Sequence, residues 1–119
     1  MSDPNLHAGG CHCGAVRYEV NIDLGQPVVA CNCSICQKTG TLLGFVPAAQ
    51  FKLLSGGDTL TDYLFNKKVI HHLFCPVCGV RSFARGELPS GPMIAVNVRC
   101  LDDVDLDKLT LRHYDGKHL

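Results

Sequence analysis

Three tight groups of cysteines constrain the fold and function of this chain more than any other sequence feature. They contain seven of its eight cysteines: Cys11 and Cys13, the segment 31–36 (Cys-Asn-Cys-Ser-Ile-Cys), and Cys75 and Cys78. A structural zinc ion takes four protein ligands, whereas a catalytic zinc ion takes three and keeps one open position. Groups of two, three and two thiols therefore suggest one closed metal site and one open site.

The remaining composition narrows the class of protein. A length of 119 residues predicts one domain over residues 1–119, with its core at about 8–116. Eleven basic and eleven acidic residues leave no net charge, which argues against a nucleic-acid partner. No apolar run approaches the ~20 residues that span a bilayer, and the first residues do not resemble a signal peptide. We therefore expect a cytoplasmic protein without a membrane partner, whose reduced thiols bind metal instead of forming disulfides.

Short segments of alternating apolar and polar residues, separated by turn signals, predict a mainly β fold. The clearest alternation covers residues 15–22, where every second residue from Val16 to Ile22 is apolar. Strands are predicted over residues 15–22, 28–30, 41–46, 51–54, 59–65, 69–74 and 93–98, with 110–114 as a last strand or a packed tail.

Other segments are predicted to be irregular or to form single helical turns. Residues 1–9 are expected to be a loose lead-in, and residues 86–92, rich in Gly and Pro, a loop. Residues 66–68 (Asn-Lys-Lys) are expected to turn a hairpin between their flanking strands. One helical turn is expected at residues 37–40, ended by glycine, and another within residues 102–108.

The segment 75–79 (Cys-Pro-Val-Cys-Gly) has the strongest local signal for metal binding. A Cys-x-x-Cys turn brings two sulfurs near one ion, Pro76 fits the turn, and Gly79 lets the chain leave with positive φ. The alternative is a redox dithiol of the thioredoxin type. That motif begins a helix within a βαβ unit, and the residues that follow Gly79 do not predict a helix.

The segment 11–14 (Cys-His-Cys-Gly) is a shorter chelating motif. With Cys75 and Cys78 it supplies the four ligands of a closed zinc site from two short clusters. His12 is an alternative ligand. We expect it to face away, because neighbouring residues of an extended segment point to opposite sides.

The middle group, Cys31, Cys33 and Cys36, is one ligand short of a closed site. Three thiolates on a divalent ion carry a net charge of about minus one, which favours a soft fourth ligand such as an incoming thiol. Alternatively, a fourth residue closes the site and makes it structural. The residues that could do so are His7, His71, His72 and Cys100.

Three further positions are of interest outside the cysteine groups. Cys100 lies alone in an apolar stretch and is expected to pack as a small hydrophobic residue. His71 and His72 are on a predicted strand, so their rings should face opposite sides. Asn97 interrupts an apolar strand and could line the site, although a hydrogen-bonded core amide is the more common role.

The order and spacing of the thiols resemble the glutathione-dependent formaldehyde-activating enzyme (GFA) family, also called the CENP-V/GFA domain. The resemblance rests on four segments and extends to Asp115 and Gly116. They are 10–14 (Gly-Cys-His-Cys-Gly), 31–36 with Lys38 and Gly40, 74–79 (Phe-Cys-Pro-Val-Cys-Gly) and 97–102 (Asn-Val-Arg-Cys-Leu-Asp). The last segment is closer to the branch that contains centromere protein V.

The resemblance implies a fold, two zinc ions and an activity. The implied fold is Mss4-like, with antiparallel β-sheets organised around a structural zinc. The family's structural ligands correspond here to Cys11, Cys13, Cys75 and Cys78. Its catalytic ligands correspond to Cys31, Cys33 and Cys36.

The implied enzyme is a carbon–sulfur lyase that joins glutathione to formaldehyde, giving S-(hydroxymethyl)glutathione. Lys38, Thr39 and Gly40 follow the trio and could contact the substrate. Gln37 departs from the family pattern, because many members carry Arg directly after the third thiol. If that Arg holds an anionic substrate, we expect this chain to prefer another one. The alternatives are a non-catalytic, zinc-stabilised protein-interaction module and a redox sensor that uses Cys33 and Cys36.

Overall fold

The computed structural model describes residues 5–64, 70–89 and 91–115. In these residues the chain forms ten strands and one short α-helix. The strands are β1 (Leu6–Gly10), β2 (Arg17–Asn21), β3 (Val28–Cys31), β4 (Leu43–Pro47), β5 (Phe51–Ser55), β6 (Thr61–Tyr63), β7 (Ile70–Phe74), β8 (Phe83–Leu88), β9 (Gly91–Asn97) and β10 (Leu111–Tyr114). The helix is α1 (Cys36–Thr39), and single 3-10 turns cover Ala48–Gln50, Val98–Cys100 and Leu106–Lys108.

The strands form two sheets, which confirms the predicted mainly β fold. The small sheet has the order β1-β2-β5, and the large sheet has the order β10-β3-β4-β9-β8-β7-β6. Neighbouring strands are antiparallel except β10, which pairs in parallel with β3. Within the described residues, no helix has the length and hydrophobicity that a bilayer crossing requires.

The core lies between the small sheet and one face of the large sheet. The alternation predicted for residues 15–22 is confirmed, because Val16, Tyr18, Val20 and Ile22 are all buried. The Tyr18 ring on β2 lies 5.0 Å from Phe51 on β5 and 6.1 Å from Phe83 on β8, measured between ring centroids. Burial of these rings provides much of the hydrophobic stabilisation that holds the sheets together.

Polar contacts also join β1 and β2 to the segment after β9. The backbone N–H of Asp102 donates to the carbonyl oxygen of Ala8 at 2.9 Å, and Gly9 forms an isolated bridge with Leu101. The Asp102 carboxylate makes a two-pronged salt bridge with Arg17 on β2. This hydrogen bonding to Arg17 lowers the pKa of Asp102.

Two predicted irregular segments are instead regular. The prediction of a loose lead-in was wrong from Leu6 onward, because residues 6–10 form β1 and pair with β2. The loop over residues 86–92 was also wrong, because β8 and β9 form a hairpin across it. Backbone pairing with a neighbour fixes both segments, so side-chain alternation gave no signal. Pro92 is tolerated because it is the second residue of β9, opposite Glu87 on β8 and beyond the part of β9 that pairs with β4.

The predicted hairpin around residues 66–68 is supported by the antiparallel pairing of β6 and β7. Residues 65–69, including Asn66, Lys67 and Lys68, lie outside the described residues. The helical turn predicted at residues 37–40 corresponds to α1, and Gly40 follows it with φ of 70°.

Replacing Gly9 with Ala should destabilise the fold by roughly 1–3 kcal/mol or more. A Cβ at this position would lie 2.6 Å from the carbonyl oxygen of Cys100, and this backbone atom cannot move aside easily. Urea unfolding should show the loss. Gly57→Ala is the matched control, because its Cβ would meet only the end of the half-exposed Leu53 side chain. Equal losses in the two variants would contradict the steric explanation.

Asp102→Asn should cost at most about 1 kcal/mol at neutral pH, because the ion pair is partly exposed. A lowered carboxyl pKa means that the pair stabilises the fold above the usual carboxyl range and loses this effect as the pH falls through the lowered pKa. At neutral pH, the difference between wild type and variant should shrink in about 1 M salt, where the Debye length is about 3 Å. Asp103→Asn, one residue along the chain, serves as the control. A loss that is independent of salt would argue against the ion pair as its cause.

Candidate metal centres

The first candidate centre joins two loops of different sheets. Cys11 and Cys13 lie between β1 and β2, whereas Cys75 and Cys78 lie between β7 and β8. The sulfur of Cys13 lies 3.6 Å from that of Cys11 and 3.6 Å from that of Cys75. All four sulfurs lie within 4.8 Å of one another. The structure thus brings together the four residues that were predicted to form the closed site.

This arrangement fits a zinc ion in distance and donor chemistry. Zinc–sulfur bonds of about 2.3 Å in a tetrahedron place the sulfurs about 3.8 Å apart, close to the separations observed. The Cys75–Cys78 turn is a knuckle in which the N–H of Gly79 donates to the carbonyl oxygen of Cys75 at 2.8 Å. Gly79 has φ of 76°, as the sequence predicted for this exit from the turn.

The electrostatics of the four sulfurs also favour a bound cation. Backbone N–H groups of Cys13 and Val80 lower the pKa of Cys78 to about 6. The N–H of Ala15 acts to lower the pKa of Cys13, but the neighbouring sulfurs outweigh this effect and raise the pKa to about 11. One thiolate therefore disfavours the next, and a divalent cation would relieve this repulsion.

The second candidate centre lies on one loop of the large sheet. Cys31 ends β3, Cys36 begins α1, and Cys33 lies between them. Their three sulfurs are half-buried and lie within 4.8 Å of one another. The N–H of Cys33 donates to the sulfur of Cys31 at 3.4 Å, and the N–H of Gln37 donates to the carbonyl oxygen of Cys33 at 3.0 Å. The local fold therefore points three sulfurs toward one position.

The trio shows the same division of charge as the first cluster. Burial opposes ionisation of Cys33, but hydrogen bonds from the backbone and side chain of Cys36 outweigh it and lower the Cys33 pKa. Burial, together with the neighbouring Cys33, raises the pKa of Cys36 to about 12. Full deprotonation of the trio would again require a cation.

Among the described residues, no fourth His, Cys, Asp or Glu joins the trio. Four residues were considered as a fourth ligand of the trio. Two of them have other partners: the Cys100 thiol donates to the carbonyl oxygen of Arg81 at 3.7 Å, and His71 contacts Asp62 at 2.6 Å. His7 on β1 and His72 on β7 also lie outside both sulfur clusters. His12 is exposed and belongs to neither cluster, as expected.

A cavity of about 210 Å³ opens beside Cys36 on the outer face of the large sheet. Ile35 and Thr39, on either side of Cys36 in the chain, form part of its wall. Strands β4, β7, β8 and β9 supply most of the remainder, largely with apolar side chains, and Thr41 and Arg81 line it from the segments that precede β4 and β8. The polar side chains that line it are few, which is the composition of a small-molecule pocket.

Asn97 lines this cavity and is also a hydrogen-bonded amide, so it has both of the roles that the sequence suggested for it. Its side-chain nitrogen donates to the carbonyl oxygen of Arg81 at 2.9 Å, and its oxygen accepts from the N–H of Leu42 at 3.4 Å. Of the residues that follow the trio, Thr39 lines the cavity, whereas Gln37 and Lys38 are exposed on α1.

Sequence reasoning missed Arg81 and gave no cavity role to His72, yet both side chains line the cavity. His72 faces it from β7, and burial lowers its pKa, so that the ring is neutral near pH 7. Alternation along β7 could have placed His72 on this face. A single arginine three residues after Cys78 gave no comparable signal.

The trio loop is held in place by the strand that pairs in parallel with β3. The N–H of Asn32 donates to the carbonyl oxygen of Tyr114 at 3.2 Å, and its side-chain amide donates to Asp115 at 2.9 Å. On the other side of α1, Arg99 donates from Nε to the carbonyl oxygen of Gly40 at 3.1 Å. These contacts fix both ends of the segment that carries the three sulfurs.

Comparison with known proteins identifies the family of this chain. The profile of the glutathione-dependent formaldehyde-activating enzyme family matches residues 6–114, a range that includes both sulfur clusters. The chain belongs to this GFA family. Its membership confirms the resemblance that the cysteine spacing suggested.

Two similar proteins support the assignment. A Halomonas elongata protein, provisionally named glutathione-dependent formaldehyde-activating enzyme, is 55% identical over 55 residues, covering 46% of this chain and 32% of that protein. The match therefore spans about a third of the length of the curated relative. The crystal structure of a Rhodobacter sphaeroides protein covers 90% of this chain and 99% of its own, with a TM-score of 0.79 and 28% identity.

Removing one cysteine should affect the stability of the fold differently at the two centres. If the four-sulfur centre holds a structural zinc, Cys78→Ala should lose this metal and unfold, because such an ion contributes about 10–16 kcal/mol, comparable to a domain's whole stability. Cys33→Ala should lose the other metal but stay folded, since its ligands lie on one loop. Zinc analysis and thermal unfolding measure both effects. If Cys33→Ala unfolds and Cys78→Ala does not, the two roles are reversed.

Proposed function

We propose that this GFA-family chain is a zinc-dependent carbon–sulfur lyase that reversibly joins glutathione to formaldehyde or a related small carbonyl. The observation that carries the proposal is the trio of Cys31, Cys33 and Cys36. Its three sulfurs converge without a fourth protein ligand among the described residues, directly beside a cavity. A centre with three protein ligands and an open position is typical of catalytic zinc.

The proposal includes two zinc ions per chain with different duties. The ion at Cys11, Cys13, Cys75 and Cys78 is structural, because four protein sulfurs fill its coordination. The ion at the trio is catalytic and more easily exchanged, because one short loop supplies its ligands. Family membership and the sulfur–sulfur separations support both assignments.

Zinc at the trio would lower the pKa of an incoming thiol, so that the thiol reacts as its thiolate. The thiolate sulfur attacks the carbonyl carbon, a carbon–sulfur bond forms, and the carbonyl electron pair moves to oxygen. That oxygen takes up one proton, which balances the proton released by the thiol. The cavity beside Cys36 holds the carbonyl compound near the attacking sulfur. His72 lines this cavity and can relay the proton, because burial keeps its ring neutral, and a neutral imidazole has one nitrogen that accepts a proton from the thiol and one N–H that donates to this oxygen.

Exchange NMR tests this reaction directly. Formaldehyde adds to thiols without help, so glutathione, formaldehyde and S-(hydroxymethyl)glutathione should be mixed at equilibrium and their interconversion rate measured. Wild type should accelerate the exchange without shifting the equilibrium. Cys33→Ala should return the rate to that of buffer.

Cys100→Ala is the matched control, because it removes one thiol that belongs to neither cluster. It should keep the wild-type rate. If folded, zinc-loaded wild type does not exceed the buffer rate, the lyase proposal fails and the interaction-module alternative is favoured. A reversible disulfide between Cys33 and Cys36 would favour the redox alternative instead.

A further inference from the structure

The cavity beside the trio is much larger than formaldehyde. Its volume of about 210 Å³ is several times the roughly 30 Å³ that one water molecule occupies in the liquid. Formaldehyde has only two non-hydrogen atoms and is of similar size to that water. A site for formaldehyde alone would leave most of this space unused.

The register of the large sheet explains how the space arises. Ala84 on β8 and Ala95 on β9 are directly paired, and His72 on β7 lies opposite Ala84. The paired alanines form a low floor between taller side chains on the flanking strands. Phe45 on β4 and Ile70 on β7 stand at the sides, 52% and 40% exposed. The walls therefore suit an apolar body of about the size of an aromatic ring.

One strong cation, Arg81, lines this apolar space without an anionic partner among residues 5–64, 70–89 and 91–115. The Arg81 guanidinium lies 5.2 Å from the ring centroid of Phe74 and 6.0 Å from that of Tyr63. Its Nη1 atom is buried and has no hydrogen-bond partner among the described residues. Leaving such a donor unpaired is costly, and a carboxylate is the acceptor whose geometry fits a guanidinium best.

The charges around the cavity point the same way. The lining also includes His72 and Arg85, and no Asp or Glu lies in the part of the lining that the structure describes. Of these two, His72 shares the face of Ala84, whereas Arg85 pairs with the buried Ile94 and so has its side chain on the opposite face. Apart from the trio at Cys36, an anion that enters would therefore meet only positive or neutral groups of the described cavity wall.

We infer that the cavity takes a carboxylate attached to an apolar body, and that Arg81 binds the carboxylate. Resting on the proposed function, this inference identifies the carbonyl substrate as an aldehyde with an apolar body and an acidic group, larger than formaldehyde. The bond changes are those given above. The carboxylate takes no part in them and only orients the substrate.

Calorimetric titration of the zinc-loaded protein with 4-methylbenzoate and 4-methylbenzamide tests the inference. The two probes share their apolar body and differ in charge. Wild type should prefer the carboxylate. Arg81→Met should weaken carboxylate binding about tenfold to a hundredfold, the usual contribution of charge-assisted hydrogen bonds, and leave amide binding unchanged.

Two control variants make the result specific. Arg112→Met removes an exposed arginine on β10, outside the cavity, and should change neither affinity. Arg85→Met should have a smaller effect than Arg81→Met, because Arg85 is exposed and pairs with the core residue Ile94 on the opposite face of the sheet. If Arg81→Met does not fold, as judged by its zinc content, Arg81→Gln replaces it.

The inference is overturned if wild type binds neither probe, if it shows no preference for the carboxylate, or if only Arg85→Met removes that preference. Because binding is measured without turnover, these outcomes are independent of the exchange experiment. If the protein catalyses the exchange but fails the binding test, the lyase proposal stands and the inferred substrate class is wrong. If it passes the binding test but does not catalyse the exchange, the carboxylate site stands and the lyase proposal is wrong.

Discussion

The meeting of four sulfurs from two distant loops is the contact on which the rest of this structure depends. It ties the β1–β2 loop of the small sheet to the β7–β8 loop of the large sheet, and two of its members, Cys11 and Cys75, are buried within the hydrophobic core. A chain of this size buries a modest core. Metal binding across the sheets would therefore add stabilisation where burial alone is limited, as in other small metal-binding domains.

The trio is organised on a different physical basis. Cys31, Cys33 and Cys36 are close in sequence, so bringing them together closes almost no chain, and their sulfurs are half-buried beside a cavity. The contacts of Asn32 with the β10 end and of Arg99 with Gly40 keep this loop in place. The four sulfurs that join the two sheets are thus separate from the three that lie beside the space where a ligand can bind.

Sequence reasoning succeeded where the signal was local. Thiol spacing identified both sulfur clusters, and alternation from Val16 to Ile22 identified the central strand of the small sheet. It failed where structure depends on pairing between distant segments. Strand β1 and the β8–β9 hairpin are fixed by backbone partners, not by their own pattern. The cavity could not be predicted either, because its floor depends on the register that sets Ala84 beside Ala95, and the partners of Arg81 come from other segments.

The location of the trio on a single loop has an evolutionary consequence. If the two centres have the proposed roles, a substitution in the four-sulfur cluster affects folding itself, so selection on that cluster acts on every descendant that must fold. A substitution in the trio, or in the outer face of the large sheet beside it, would then change only local chemistry. Relatives with the same scaffold are thus free to diverge in the reaction they catalyse or to lose catalysis altogether. Under those roles the scaffold and its chemistry would change independently, and the loop after β3 would determine the chemistry.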